Sequence, residues 1–185
     1  MTPSLYRQLL GTDYALLSPA QQRFHDLQGR HVLHGEADVR CGRHPLARLV
    51  ALVMGLPTRD ARVPLRFELE VTDEKEVWSR HFGAQGMRSV LRGRSGRIVE
   101  QLGAMVLEST LSVDGDWLKM RVHRARLLGL LPMPLRLMPE VKADETGDAQ
   151  RVRFDIRVAW SWLGLLVAYE GYLEIPEATD EHRGL

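Results

Sequence analysis

Residues 63–71, VPLRFELEV, carry the pattern that decides the fold. Apolar side chains occupy every second position from Val63 to Val71, and a proline or a charged residue fills each position between them. Successive side chains of a strand point to opposite faces of a sheet, so the alternation predicts a strand with one face on a core and the other in water. A one-residue slip would exchange the faces, so the same pattern predicts the register.

Alternating segments on both sides of this stretch predict a mainly antiparallel β protein. Upstream, Leu33, Ala37, Val39 and Cys41 share one face of a strand that begins near His31. Glycine-containing turns separate the downstream segments, as expected for hairpin-linked strands. The expected downstream strands cover residues 75–82, 87–92, 97–102, 104–113, 117–127, 152–160 and 165–175.

Two short helices are predicted before the first strand. Leu5, Leu9 and Leu10 share a helical face in the first. The dipeptide Ser18-Pro19 offers an N-cap and a first-turn proline for the second. These helices form an N-terminal lead-in to the sheet.

A third helix is predicted at about residues 44–55. It opens at Pro45, and its apolar residues recur at the spacing of one helical face, at Leu46, Leu49, Val50 and Val53. An apolar stripe of this kind normally meets a core. We therefore expect this helix to pack against the sheet.

About eight or more hairpin-linked strands predict an α+β, mainly β fold: a curved antiparallel sheet or an open barrel. Residues 127–139 contain three prolines and are expected to form an apolar loop with one helical turn at most. We predict a single domain over residues 1–185, comprising a helical lead-in (1–28), a β-rich body (31–176) and a frayed tail (177–185).

Composition excludes several classes of protein. The chain has 185 residues, of which 44% are hydrophobic and 26% charged, as is typical of globular proteins. A net charge of +1 provides no bulk field that would draw the chain to nucleic acid or to an anionic membrane. The N-terminus lacks a signal-peptide pattern, and no apolar run is long enough to span a bilayer, so we expect a soluble, cytoplasmic protein without stable membrane insertion.

The sequence contains no recognised motif for catalysis or for cofactor binding. It lacks a G-x-G-x-x-G turn between a strand and a helix, and it has no G-x-S-x-G elbow. The single cysteine, Cys41, excludes a multi-cysteine metal site, and His34 and Glu36 lie on the opposite strand face from it. We therefore expect no cofactor and no metal, and we disfavour an enzyme.

The segment EVWSRHF at residues 76–82 supplies the main site candidates. Period two places Trp78, Arg80 and Phe82 on one face of a strand. If the aromatic rings face the interior, the guanidinium is buried and requires a carboxylate, for which Glu100 and Glu145 are the candidates. In the alternative arrangement this face is exposed and Arg80 stacks between the two rings.

Two further aromatic residues near the C-terminus complete the candidate set. In WSWLGLLVAYEGYL, Trp160 and Trp162 share a face, and Tyr169 lies on the other face unless Gly164 bends the strand. Aromatic side chains with polar tips often line ligand sites, although they also serve in cores. Trp160 and Tyr169 therefore join the cavity candidates. The loop at residues 130–138 is expected to border the route into the cavity.

Several blocks of the chain together resemble a bacterial family of a domain of unknown function, found alone or fused behind a saccharopine-dehydrogenase-like oxidoreductase. The blocks, which span about residues 5–176, are GEADVRCGRHPLARLVALVMGLP, EVWSRHFG, RSV, VEQLG, LLGLLPMPL and GLLVAYEGYL. The resemblance implies no established reaction. It marks positions only, namely Trp78, Arg80, Phe82, Ser89, Glu100, Gly103, Gly129, Pro132, Glu145, Tyr169 and Gly171.

Three functions remain open at this point. The first is a binding module for a hydrophobic small molecule, such as a lipid-, isoprenoid- or polyketide-like ligand, held within the curved sheet. The second is an accessory domain that shapes the substrate site of an NAD(P)-dependent oxidoreductase, which follows from the family resemblance alone. The third is an enzyme that uses the same cavity with a glutamate or histidine as acid and base.

Overall fold

Eleven antiparallel strands form one sheet in the computed structural model, which describes residues 3–177. Every strand except the eighth has at least six residues. Their bounds are β1 Gly29–Cys41, β2 Ala61–Val71, β3 Glu76–Phe82, β4 Gln85–Arg94, β5 Arg97–Leu102, β6 Met105–Asp114, β7 Trp117–Leu127, β8 Leu131–Pro132, β9 Glu140–Gly147, β10 Arg151–Trp160 and β11 Gly164–Glu174.

Ten of these eleven described strands close into a barrel. Neighbours along the sheet follow the order β6-β5-β4-β3-β2-β1-β11-β10-β9-β7-β8, and β6 also pairs with β7. Strand β8 lies outside the ring and pairs with β7. Full closure removes the unpaired edges that an open sheet would present. The predicted mainly β fold is thus confirmed, and the structure resolves the two alternatives in favour of a closed barrel.

Strand β2 confirms the alternation at residues 63–71. Leu65, Phe67 and Leu69 are buried with at most 3% exposure, and they face the barrel interior. The side chains of Glu68 and Glu70 keep 40% and 44% of their surface exposed. The predicted burial is weaker for the two terminal valines of the stretch, which are only partly buried.

Short helices close one end of the barrel. Helix α1 (Leu5–Leu10) packs on β4 and β6, a 3₁₀ helix follows at Gly11–Leu16, and α2 (Pro19–Asp26) packs on β9 and β10. The predicted cap of α2 is present: the Gln21 amide donates to Ser18 Oγ at 3.3 Å, and the Gln21 side chain accepts from the Ser18 amide at 3.1 Å. We call this the helical end of the barrel.

The opposite end is crossed by helix α3 (Pro45–Val53), although not by the face that its sequence predicts. Ala47 and Ala51 are fully buried against the start of β11, whereas Leu49 and Val53 are 55% and 57% exposed. Small side chains let the helix approach the strand backbone closely. The helix therefore packs against the sheet as expected, but through Ala47, Ala51 and the partly buried Val50, while the rest of the predicted stripe stays exposed.

The chain between β7 and β10 differs in part from the sequence prediction. Strand β9 was not predicted, because EVKADETG shows no apolar alternation. Residues 127–139 form the expected apolar connection, with the short strand β8 and a 3₁₀ turn at Leu135–Leu137. Of the predicted tail, residues 178–185 lie outside the described residues. No helix in the described part of the chain has the length and apolar character needed to cross a membrane.

Candidate functional site

The barrel interior contains a cavity of about 110 Å³. Strands β2–β7 and β9–β11 line it, together with Tyr6 and Phe24 from the helical end and Leu56 from the segment between α3 and β2. The wall is mostly apolar, with leucines at positions such as Leu91 and Leu107. A few polar side chains interrupt this surface, an arrangement typical of small-molecule pockets.

Five of the seven candidate site residues lie on this wall: Trp78, Arg80, Glu100, Glu145 and Tyr169. They come from strands β3, β5, β9 and β11, which the closure of the barrel brings around one space.

The other two candidates do not line the cavity. Phe82 is fully buried and packs edge-on against Tyr169, with ring centroids 5.3 Å apart. Trp160 is half-buried, stacks on Trp162 at 5.6 Å, and donates from Nε1 to the Leu137 carbonyl at 2.6 Å. Phe82 belongs to the core beneath the cavity, and Trp160, at the end of β10, contacts the connection that precedes β9.

The prediction that Arg80 pairs with Glu100 or Glu145 is wrong, because Arg80 contacts other groups. Arg80 faces the cavity between aromatic rings, 5.0 Å from the Trp78 centroid and 5.5 Å from that of Phe67. Its Nη1 donates to Ser89 Oγ at 3.2 Å. Among the described residues no carboxylate oxygen lies within 4.0 Å of it. The aromatic faces and a hydroxyl therefore solvate the guanidinium in place of an acid.

Glu145 instead belongs to a polar cluster at the helical end. His25 Nε2 lies 3.0 Å from Glu145 Oε1, and Gln21 Nε2 donates to the same oxygen at 3.3 Å. Gln21 also donates to the Glu145 carbonyl at 3.2 Å, which ties helix α2 to strand β9. Gln21 and His25 are both buried, so this cluster is shielded from bulk water.

An aromatic stack lies next to this cluster. The ring of Tyr6 stacks on His25 with centroids 3.7 Å apart, and Trp78 lies beyond Tyr6 at 6.2 Å. Burial raises the pKa of the Tyr6 hydroxyl well above its ordinary value, and the nearby carboxylates of Glu76 and Glu145 raise it further. This hydroxyl therefore stays protonated and is available as a hydrogen-bond donor.

Glu76 is a second buried carboxyl at the same end. It is 5% exposed and accepts a hydrogen bond from Trp78 Nε1 at 3.0 Å. Burial raises the pKa of Glu76, while His25 and the indole hydrogen bond act in the opposite direction. The bond to Trp78 fixes the indole ring that Arg80 faces.

Sequence reasoning missed Tyr6, Gln21 and His25 as site residues. A usable signal was present for two of them, because Gln21 and His25 are four residues apart on a short capped helix and so share one face. Their acceptor lies 120 residues beyond His25, in a strand without an apolar pattern, and no local feature points to it.

The arrangement offers no recognised metal or thiol chemistry. Within residues 3–177 no three histidine, cysteine or acidic side chains are grouped to hold a metal ion. Cys41 is buried, its Sγ donates to the Pro57 carbonyl at 3.4 Å, and burial raises the pKa of the thiol to about 11. A thiol with such a pKa is not a nucleophile at neutral pH.

Comparisons with known proteins support the fold and leave the function open. Residues 17–173 match the family model described as a domain of unknown function, DUF4166. The expected similarity to a family of unknown function is thereby confirmed, and the fusion to an oxidoreductase stays a prediction. No curated protein matches the chain significantly.

Two solved structures are similar to the barrel. A protein of unknown function from the DUF3598 family of Nostoc punctiforme has a TM-score of 0.51 and 13% identity, over 83% of this chain and 48% of that one. The chain thus spans about half the length of that relative. Rv2717c from M. tuberculosis has a TM-score of 0.44 and 14% identity, over 87% of this chain and 99% of that one. At such identities the first match supports the fold alone.

Proposed function

The chain belongs to the DUF4166 family, a domain of unknown function, and we propose that it is a binding protein that holds a hydrophobic small molecule inside its barrel. The cavity is the observation that carries this proposal. Its wall is apolar over most of its area, and burying apolar ligand surface there is favourable by about 25 cal/mol per Å².

The size of the cavity limits the ligand. A volume of about 110 Å³ is smaller than the pockets of roughly 300–1,000 Å³ that hold drug-sized molecules. The wall includes Met87 and Met120, whose unbranched side chains repack at low cost. We therefore propose a small or slender hydrophobic ligand, with the methionines moving aside for longer chains.

The route into the cavity is assigned to the end opposite the helices. Helices α1 and α2 and the hydrogen-bonded cluster of Gln21, His25 and Glu145 block the helical end. At the other end, the connection between β7 and β9 contains Met133 and Met138, which pack only partly against the core. The loop at residues 130–138 is therefore the proposed gate.

The proposal predicts saturable binding of a neutral apolar molecule such as 1-octanol. Isothermal titration calorimetry should show one site in the wild type. Ala143→Phe, which places a ring in the cavity, should weaken binding about tenfold or more, because 1.4 kcal/mol of lost packing is sufficient. Native mass spectrometry of protein purified without added ligand should show a retained small molecule.

A matched control is available on the outer wall. Ala168 lies on β11 directly before the cavity residue Tyr169 and so points to the opposite face. Ala168→Phe should bind octanol like the wild type. Equal octanol affinities of Ala143→Phe and Ala168→Phe would exclude a ligand site in the barrel. The absence of saturable binding to the wild type and to both variants would exclude it as well.

One observation favours an enzyme as second candidate. His25 and Glu145 form a buried pair, and Glu145 also faces the cavity, where it could exchange a proton with a ligand. The same mass-spectrometric experiment separates the two functions. A retained molecule that keeps its mass on prolonged incubation supports a binding protein, and one that is converted supports an enzyme.

A further inference from the structure

Glu100 is a buried carboxylate that faces the cavity and has no partner within residues 3–177. It is 8% exposed and lies on the wall. Among the described residues, no group donates a hydrogen bond to it and no cation lies within 4.0 Å. Buried acidic side chains are normally paired, because an unpaired one loses its hydration without compensation.

Two tyrosine hydroxyls and Arg80 share this part of the cavity. Tyr6 and Tyr169 are buried and line the wall, and neither hydroxyl has a hydrogen-bond partner within residues 3–177. The charges of Arg80 and Glu100 act on both hydroxyls in opposite directions. Donors and acceptors therefore surround one space, and the bond from Arg80 to Ser89 is the only hydrogen bond that these four side chains make within residues 3–177.

We propose that the part of the cavity lined by Arg80, Glu100, Tyr6 and Tyr169 binds the neutral hydroxyl head of an amphiphile. Arg80 donates a hydrogen bond to the hydroxyl oxygen, and Glu100 accepts a hydrogen bond from the hydroxyl group. This inference rests on the proposed function and names its ligand class, an apolar alcohol. Arg80 and Glu100 contribute one charge of each sign, and Glu145 is already engaged by His25 and Gln21. A carboxylate head would be repelled by Glu100, and an ammonium head by Arg80. A hydroxyl satisfies both.

The test compares three ligands that share an eight-carbon alkyl chain and differ in their polar group: 1-octanol, octanoate and octylamine. Each is titrated calorimetrically at neutral pH. Wild-type protein should bind octanol at least about tenfold more tightly than either ion, since an unmatched buried charge readily costs this factor. Arg80→Met should reverse the preference toward octylamine, and Glu100→Leu should reverse it toward octanoate. A reversal of selectivity is not produced by a loss of stability.

Glu140→Leu, at an exposed position at the start of β9, serves as control and should keep the wild-type order. Wild-type protein that prefers octanoate or octylamine would overturn the alcohol inference and leave the binding function intact. Failure of all three probes would overturn both.

A separate observation concerns the outer surface at the end opposite the helices. The exposed large hydrophobic side chains are concentrated in three segments, residues 42–59, 124–139 and 160–168. Among the described residues, thirteen large hydrophobic side chains are exposed, and these segments hold ten of them. A concentration of exposed apolar side chains commonly marks an interaction site. The ten are Leu46, Leu49, Leu52, Val53, Leu127, Leu128, Leu130, Leu131, Leu137 and Trp162.

Backbone contacts place the three segments together at one end of the barrel. Met54, after α3, lies against the β5–β6 turn, because a Cβ on Gly103 would be 3.0 Å from the Met54 Cα. The amide of Leu128 donates to the carbonyl of Ala104 in the same turn at 2.6 Å. Trp160 connects the third segment to the second through its bond to Leu137.

The charge on these segments has one sign. They contain six arginines, Arg43, Arg48, Arg59, Arg124, Arg126 and Arg136, and no aspartate or glutamate. Arg126 is paired with Glu108 at 3.1 Å, and Asp60 and Glu140 border the segments. In a chain whose net charge is only +1, this end is therefore locally cationic as well as apolar.

We infer that this end docks on the surface of an anionic phospholipid bilayer. Leucines and a tryptophan that insert between headgroups, surrounded by arginines that pair with lipid phosphates, form the usual combination of an interfacial anchor. Docking there would place the proposed gate at the membrane, the source of a sparingly soluble ligand.

Vesicle co-sedimentation tests this inference on the wild-type chain. Binding should be strong to vesicles of phosphatidylcholine with 30% phosphatidylglycerol. It should be weak to phosphatidylcholine alone and should fall as salt rises. The double variant Arg43→Gln/Arg48→Gln should lower partitioning onto the vesicles about 30-fold. Each arginine near the surface contributes about 1 kcal/mol, and the fold-change is the sum for two arginines converted with RT. Leu49→Asp/Leu52→Asp should abolish it.

Leu16→Asp is the matched control, because Leu16 is 61% exposed at the helical end. It should bind vesicles like the wild type. Equal loss in this control, equal binding to neutral vesicles, or no binding to either would overturn the inference. Concentration-dependent dimerisation in analytical ultracentrifugation that Leu49→Asp/Leu52→Asp abolishes, without vesicle binding, would assign the surface to a second copy of the chain.

Discussion

Gly35→Ala is expected to lower the free energy of unfolding by about 3 kcal/mol or more, and to leave much of the protein insoluble. Gly35 lies in β1, opposite Leu173 of β11. A Cβ at this position would overlap the carbonyl oxygen of Tyr172 and lie 2.8 Å from its carbonyl carbon. Backbone atoms of a paired strand cannot yield as a flexible side chain can, so the β1–β11 ladder would have to separate.

Urea denaturation followed by circular dichroism measures this effect. Gly86→Ala in β4 is the control, because a Cβ there has no atom within 4 Å. The control should change stability little, or raise it slightly, since alanine restricts the unfolded chain. If Gly35→Ala and Gly86→Ala unfold at the same urea concentration, the close approach of β1 and β11 does not require glycine at position 35.

His25→Phe should cost about 3 kcal/mol of stability, although phenylalanine can preserve the stack on Tyr6. The loss arises because Glu145, whose side chain is only 16% exposed, retains Gln21 as its remaining donor. Breaking one side of a buried pair is costly, whereas replacing both partners by apolar groups is milder. The double variant His25→Phe/Glu145→Leu should therefore recover part of the loss.

A double-mutant cycle by thermal unfolding isolates the coupling between the two side chains. The exposed pair of Arg30 and Glu70, at 3.4 Å, provides the comparison and should show almost no coupling. Additive losses at His25 and Glu145 would mean that the pair does not hold α2 on β9. The attachment of the helix would then depend on Gln21 and on apolar packing.

The half-buried Arg80 shows where interpretation of the sequence ended. Trp78 and Arg80 are two residues apart on one strand, so the sequence places both side chains on the same face, and both line the cavity. Alternation along one strand is a local property. The identity of the partner is not local. Trp78 is a neighbour on the same strand, but Phe67 of β2 and Ser89 of β4 reach the guanidinium only because their strands pair with β3.

Helix α3 shows the same limit in a different form. Its leucine spacing correctly predicts a helix, since periodicity reports the backbone geometry. Which stripe is buried depends on the surface that the helix meets. Ala47 and Ala51 allow the closest approach to β11, and the leucines are left outside as part of the proposed membrane surface.

The sequence by itself determined nine of the eleven described strands, the cap at Ser18 and the inward residues of β2, because alternation, capping and turns act over a few neighbouring residues. Only the tertiary structure decided that β6 pairs with β7 to close the barrel. Closure then decided that Glu145 meets His25 and that Glu100 and Arg80 face one cavity. Contacts between residues far apart in the chain follow from the register of the whole ring, and no short stretch of sequence encodes that register.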